Sequence, residues 1–117
     1  MRYMLLIYGN ESRGATMTQE EGQAMMAAYF AYGAEATVAG VHRSGEALYD
    51  TAQAKTVRIR NGKTLVTDGP FAETKEQLGG FYELQCGDLD EAILWAGKCP
   101  GIHYGAIEIR PIVDHQG

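Results

Sequence analysis

Residues 56–67, TVRIRNGKTLVT, carry the clearest secondary-structure signal in the chain, because they predict a β-hairpin by themselves. Val57 and Ile59 alternate with arginines, as in a strand that buries one face. Asn61-Gly62 suits a two-residue type I′ turn, which needs positive φ at both positions. Such a turn sets Val57 opposite Val66, so side-chain packing and turn geometry specify the same register.

On either side of the hairpin, the apolar patterns predict three further strands, a short strand and two helices. Asn10 to Gly14 is polar and contains glycine, which predicts a loop. The predicted strands lie at 2–8, within 41–54, at 81–86 and at 105–112. The first helix runs from Thr18 to Ala39 and opens on a capping box of Thr18 with Glu21. The second helix is opened by Asp88 and stopped by Pro100-Gly101.

This order of elements predicts an α+β fold in one domain spanning residues 1–117, since a chain of this length holds a single core. The sequence β, α, β, hairpin, β, α, β is that of a ferredoxin-like split βαβ arrangement. It implies an antiparallel sheet with two helices on one face and the hairpin as an insertion.

Composition excludes several classes of partner. The formal net charge of −5 disfavours nucleic acid, whose binding depends on Lys and Arg at phosphates. The apolar run at 2–8 is too short to span a membrane. Cys86 and Cys99 do not form a Cys-x-x-Cys motif, so we expect reduced thiols in the cytoplasm. His42, His103 and His115 are not spaced like the ligands of a metal site, so we expect no metal and no cofactor.

The first strand predicts a partner, because it is apolar on both alternating sets while a helix layer covers only one sheet face. A homodimer that stacks sheet on sheet would cover the other face. It would also enclose an alternating polar set, Glu83, Gln85, Glu108 and Arg110, beside a shared cavity for a small organic molecule. The alternative is that these polar side chains are simply solvated.

The run KTLVTDGPFAETKEQLGGFY at 63–82 is long and specific, and it resembles the DGPF-motif subgroup of the YCII-related family. The opening MRYMLLIY, the stretch DLDEA at 88–92, Cys99-Pro100 and EIRP at 108–111 resemble that family as well. The resemblance implies a dimeric α/β barrel of ferredoxin-like topology, an active-site pocket and genomic neighbourhood with alternative sigma factors.

Candidate catalytic residues follow from that resemblance. In the enzyme-like branch of the family, a histidine on the first helix and an aspartate form the proposed acid/base pair. The predicted helix here contains no histidine, which leaves Asp68 of the DGPF motif as the matched residue and His42, just past the helix, as a substitute. Tyr82 is a candidate proton donor. The alternative for Asp68 is a structural one, in which its carboxylate caps the turn.

Candidate ligand-binding residues are those that would face the dimer cavity. Arg110 would hold an anionic group through its guanidinium fork, and Lys75 would do so as a point charge. Glu83, Glu108 and Tyr8 are the other candidate ligand-binding residues. For Lys75 the alternative is a solvated charged face, and for Tyr8 it is a core position.

Two functions therefore remain open at this point. The first is a homodimer that binds a compact organic molecule, anionic in the version that uses Arg110, and performs cofactor-free acid/base chemistry with Asp68. The second is a non-catalytic regulatory or adaptor module that associates with an alternative sigma factor.

Overall fold

A computed structural model describes residues 1–114 and contains six strands and three α-helices in that range. The strands are β1 (Arg2–Gly9), β2 (His42–Ala47), β3 (Lys55–Arg60), β4 (Lys63–Asp68), β5 (Gln77–Gln85) and β6 (Gly105–Pro111). The helices are α1 (Glu11–Thr16), α2 (Gln19–Val38) and α3 (Leu89–Lys98), and short 3-10 turns lie at Thr51–Gln53 and Pro100–His103.

Four of the strands form one antiparallel sheet in the order β2-β5-β1-β6. With the hairpin set aside, this is the strand order of the split βαβ arrangement, and it confirms the predicted α+β class. β3 and β4 form a separate two-stranded sheet.

Capping side chains define where the helices begin. Thr18 and Glu21 make the predicted capping box, with both hydrogen bonds at 3.1 Å, and Asp88 accepts from the Glu91 amide at 2.9 Å to open α3. The prediction of only two helices was wrong. The expected loop after β1 forms α1, because the Asn10 carboxamide accepts from the Ser12 amide at 3.0 Å and so caps a first turn.

Both long helices pack on the same face of the sheet, as predicted. The core combines buried side chains of the sheet, of α2 and of α3: Tyr3, Leu5, Leu84, Tyr32, Ala36, Ala92, Trp95 and Ala96. The Tyr32 hydroxyl donates to the Trp95 carbonyl oxygen at 2.9 Å, so its polar atom is satisfied inside the core. None of the described helices has the length and apolar character needed to cross a bilayer.

The strand register sorts the remaining side chains onto the sheet surface turned away from α2 and α3, which we call the open face. Tyr3 and Leu5 of β1 are buried toward the helices, so Met4 and Leu6 alternate onto the open face. Glu83 and Arg110 flank Met4 on either side, and Glu108 lies beside Leu6. The predicted polar set therefore does share one surface.

The hairpin formed by β3 and β4, residues 55–68, stands apart from the sheet, and we call it the arm. Its register pairs Val57 with Val66 and Ile59 with Thr64 around Asn61 and Gly62, whose φ values of 53° and 75° confirm the predicted turn. All of β4 is exposed. The radius of gyration is 16.3 Å, whereas a compact chain of about 100 residues has one of about 13 Å, which fits a projecting arm.

Candidate functional site

A cavity of about 620 Å³ lies between the first half of α2 and one end of the four-stranded sheet. Small residues line it from the strands, where side chains would otherwise fill the space under the helix. They are Gly9 of β1, Gly45 and Ala47 of β2, and Gly79 and Gly80 of β5. Met25, Met26 and Tyr29 line it from α2, and Tyr82 and Tyr104 complete the wall.

Two of these glycines are required by the close approach of β2 and β5. A Cβ atom at Gly45 would lie 2.9 Å from the Phe81 carbonyl oxygen, and one at Gly80 would lie 2.8 Å from the Glu46 carbonyl oxygen. Real Cβ atoms do not approach backbone that closely without a shift of the strand. The strand pairing that builds the sheet therefore also keeps this part of the cavity free of side chains.

The mouth of the cavity is fixed by a hydrogen-bond network around Glu11, the first residue of α1. Its carboxylate accepts from the Thr51 amide and from the Thr51 hydroxyl, both at 2.7 Å. Its own amide donates to the Gln77 side-chain oxygen at 2.9 Å. These bonds tie together α1, the segment before the arm and the start of β5.

The hydroxyl groups of Tyr29 and Tyr82 stay protonated at neutral pH. Burial, followed by the neighbouring Cys99, raises the pKa of Tyr29 and of Tyr82 above the ordinary value of 10.0. Burial also raises the pKa of the Cys99 thiol, which keeps it uncharged. The two tyrosine rings stack with centroids 6.5 Å apart. The cavity can therefore offer hydrogen-bond donors, and these groups are poor bases.

Comparison with known proteins assigns the chain to a family. A sequence profile of the YCII-related domain matches residues 1–116. The chain belongs to the YCII-related family. An uncharacterised protein of Rhizobium meliloti (strain 1021) is similar to this YCII-related protein, with 39% identity over 114 residues that cover 96% of this chain and 92% of the relative.

Two of the predicted site residues of this YCII-related protein, Tyr82 and Tyr8, are among the cavity-lining residues. Strand alternation turns the Tyr8 side chain toward the open face. There burial raises its pKa, the Glu108 carboxylate raises it further, and Arg110 acts in the opposite direction. Tyr8, Glu108 and Arg110 thus form one polar cluster beside β6.

Glu83 of this YCII-related protein lies across β1 from that cluster and is engaged within its own chain. Its carboxylate accepts from Arg2 Nη1 at 3.1 Å and from the Ser44 hydroxyl at 3.0 Å. The hydrogen bond from Arg2, followed by that from Ser44, holds the pKa of Glu83 below its usual range. Glu83 thereby links the first half of β2 to the start of β1.

Asp68 lies on the arm of this YCII-related protein and does not line the cavity. Its side chain is 88% exposed, and Oδ1 accepts from Lys55 Nζ at 2.5 Å. The next residue, Gly69, has φ of 96° and accepts from the Thr56 hydroxyl at 2.8 Å, which closes the base of the arm. The Asp68 carboxylate thus pairs with Lys55 on the neighbouring strand, which is not the turn capping of the structural alternative. The catalytic role of Asp68 stays a prediction.

The two remaining predicted site residues, His42 and Lys75, come before and after the arm in the sequence. His42 begins β2, with its ring centroid 6.0 Å from that of Tyr82 and the planes inclined at 71°, but it does not line the cavity. Lys75 is exposed in the segment between the arm and β5. Among residues 1–114, no three His, Cys, Asp or Glu side chains cluster as metal ligands, and His115 lies outside the described residues.

The prediction from sequence missed the cavity of this YCII-related protein. Its floor depends on glycines from three strands, which come together only after the strands pair. The one available signal was the presence of glycine within strand patterns, at Gly45 and at Gly79-Gly80, since glycine in a strand often marks a close backbone approach. Glu11 was missed because α1 was expected to be a loop.

Proposed function

We propose that this YCII-related protein is a homodimer that binds a compact, uncharged organic molecule in the cavity between α2 and the sheet. The observation that carries the proposal is the cavity itself, whose volume of about 620 Å³ falls within the range of small-molecule sites. Its walls are mainly apolar, and the tyrosine hydroxyls supply the few polar groups that orient a ligand.

The charges around the cavity argue for an uncharged ligand and against the anionic version of the hypothesis. Two charged residues line it, Glu11 and Glu46; both are acidic, and the pairing of Glu46 with Phe81 turns the Glu46 side chain to the open face. The carboxylate of Glu11 is already engaged by Thr51. Arg110 and Lys75, the residues proposed for an anionic group, lie outside the lining. An anion in this cavity would therefore lose its hydration without a compensating cation among the described lining residues.

Titration with a matched pair of probes, 2-naphthol and 2-naphthoate, tests this proposal, because the two differ chiefly in charge. We expect the neutral 2-naphthol to bind with one site per chain by isothermal titration calorimetry, and 2-naphthoate to bind at least about tenfold more weakly. Binding of neither probe, or tighter binding of 2-naphthoate, would argue against an uncharged-ligand site.

A pair of glycine substitutions on α2 locates the site. A Cβ at Gly22 would have its nearest neighbour, Met17 Sδ, at 3.9 Å, so Gly22→Leu fits the helix and extends a side chain at the cavity wall. We expect it to weaken 2-naphthol binding at least about tenfold. Gly33→Leu is the control, because Gly33 lies on the same helix, has open space for a Cβ and does not line the cavity.

The finer part of the proposal is cofactor-free acid/base chemistry in a DGPF-subgroup protein. Support comes from the motif Asp68-Gly69-Pro70-Phe71, whose sharp turn is present as expected for Gly69 with positive φ. In this arrangement Asp68 reaches a cavity only if the arm of another copy brings it there. Asp68→Asn keeps the shape of the side chain and removes its charge. Unchanged turnover of any identified substrate would remove Asp68 from the mechanism.

A non-catalytic adaptor is the second candidate, and the exposed apolar side chains of the arm favour it. The family resemblance supplies the partner, an alternative sigma factor encoded nearby. A saturable complex between the purified sigma factor and this protein, lost when the arm is removed, would support the adaptor. In either case we propose a cytoplasmic location, since Cys86 and Cys99 are both buried free thiols.

A further inference from the structure

We propose that the arm of one copy lies against the open face of a second copy of this chain, at the acidic margin of that face. This inference rests on the homodimer part of the proposed function and names the segment that makes the contact. It does not depend on what the cavity binds.

The arm exposes an apolar surface to water unless another surface packs against it. Three apolar side chains on one of its surfaces are largely exposed: Val57 at 60%, Ile59 at 66% and Val66 at 64%. A two-stranded hairpin without a packing partner is marginally stable at best. A contiguous exposed apolar patch of this kind marks an interaction surface.

The two surfaces of the arm differ in character. The register places Val57, Val66 and Ile59 together on the apolar surface. The other surface carries three basic side chains, Arg58, Arg60 and Lys63, for which the described residues contain no ion pair. Paired strands lie only about 4.8 Å apart, so the two-stranded arm is narrow. Long basic side chains on one surface of the arm can therefore extend around its edge and reach groups on the protein that its apolar surface contacts.

Charge identifies the occupant as another copy of the same chain. The arm contains four basic residues and one acidic residue, which give it a net charge of +3. The whole chain has 10 basic and 15 acidic residues, so six basic and fourteen acidic ones remain outside the arm, with a net charge of −8. A basic arm on an acidic body is self-complementary between two copies, and such complementarity steers association.

The open face supplies matching groups. Met4, Leu6 and Phe81 lie on it and are only partly covered within one chain. Glu46, on the edge strand β2, and Glu108, on the edge strand β6, are exposed and make no ion pair among the described residues. The face therefore presents an apolar centre with a carboxylate on each edge strand, Glu46 on β2 and Glu108 on β6, where Arg110 also lies on the open face.

A charge-swap experiment tests the contact. The first variant, Arg58→Glu with Arg60→Glu, makes the arm acidic, and the second, Glu46→Lys with Glu108→Lys, makes the margin of the open face basic. Each variant alone would bring like charges together, so we expect each to raise the dimer dissociation constant at least about tenfold in sedimentation velocity at low salt. An equal mixture of the two is expected to form heterodimers, because every arm then meets a face of opposite charge.

The outcomes separate this inference from the proposed function. Two variants that dimerise as tightly as the unmodified protein, or a mixture that fails to associate, would overturn the arm contact and leave a homodimer that stacks sheet on sheet. An unmodified protein that is monomeric would overturn both the arm contact and the homodimer. Circular dichroism checks that each variant is folded, and the arm variant should still bind 2-naphthol, since Arg58 and Arg60 do not line the cavity.

Discussion

Leu84→Ala is expected to lower the free energy of unfolding by about 2–5 kcal/mol, the usual range for truncating a buried leucine. Leu84 is 0% exposed and lies in the middle strand pair of the sheet, opposite Tyr3, where both long helices cover it. Its removal costs the transfer free energy of the side chain and leaves a cavity. Urea denaturation followed by circular dichroism measures the change.

Leu94→Ala is the matched control for this prediction. Leu94 lies on α3 and is 60% exposed, so its truncation should change stability by no more than about 0.5 kcal/mol. Equal destabilisation by the two substitutions would contradict the arrangement of the core, because it would mean that α3 packs through its other side.

Alkaline pH is expected to unfold the protein through the buried Tyr32 and the partly buried Tyr29 and Tyr82. Burial is the first cause that raises the pKa of Tyr29, Tyr32 and Tyr82 above the ordinary value of 10.0. The folded state therefore keeps these protons at a pH where the unfolded state has lost them. The resulting stabilisation is fully present below about pH 10 and is lost as the pH rises from there toward the folded pKa values, by up to about 1.4 kcal/mol per pH unit for each tyrosine.

Spectrophotometric titration of tyrosinate, recorded together with circular dichroism, checks this prediction. Tyr29, Tyr32 and Tyr82 should ionise only within the unfolding transition. Tyr32→Phe should remove absorbance from that transition. Ionisation of all seven tyrosines while the fold persists would contradict the assigned burial.

Local chemistry made much of the fold predictable. The arm followed from Asn61-Gly62 and the alternation around it, and both long helices began at the expected capping side chains, Thr18 and Asp88. α1 was not predictable from its six residues, because so short a helix has little apolar periodicity and depends on the single cap at Asn10.

The candidate site was only partly predictable, because its parts depend on different ranges of sequence. The polar set on the open face followed from strand alternation, a local pattern. The cavity depends instead on which strands are neighbours: Gly45, Gly80 and Gly9 are far apart in the chain and meet only through the order β2-β5-β1. The sequence pattern of one strand does not show which other strands will pair with it.

The position of the motif residues shows a second limit. The DGPF segment was predicted as a stiff turn, and Gly69 does adopt positive φ there. The direction of that turn depends on how the arm leaves the sheet. The segment between Ala47 and Lys55 sets this direction, and its only regular element is the short 3-10 turn at Thr51–Gln53. Within one chain Asp68 therefore pairs with Lys55 on the arm and does not line the cavity.

A crystal structure of the protein soaked with 2-naphthol would show whether the cavity beneath α2 is the ligand site. We predict electron density for the probe between α2 and the sheet, with its hydroxyl within hydrogen-bond reach of Tyr29 or Tyr82. Density for the probe on the open face beside Arg110, with the cavity beneath α2 left empty, would contradict the assignment of this cavity as the ligand site.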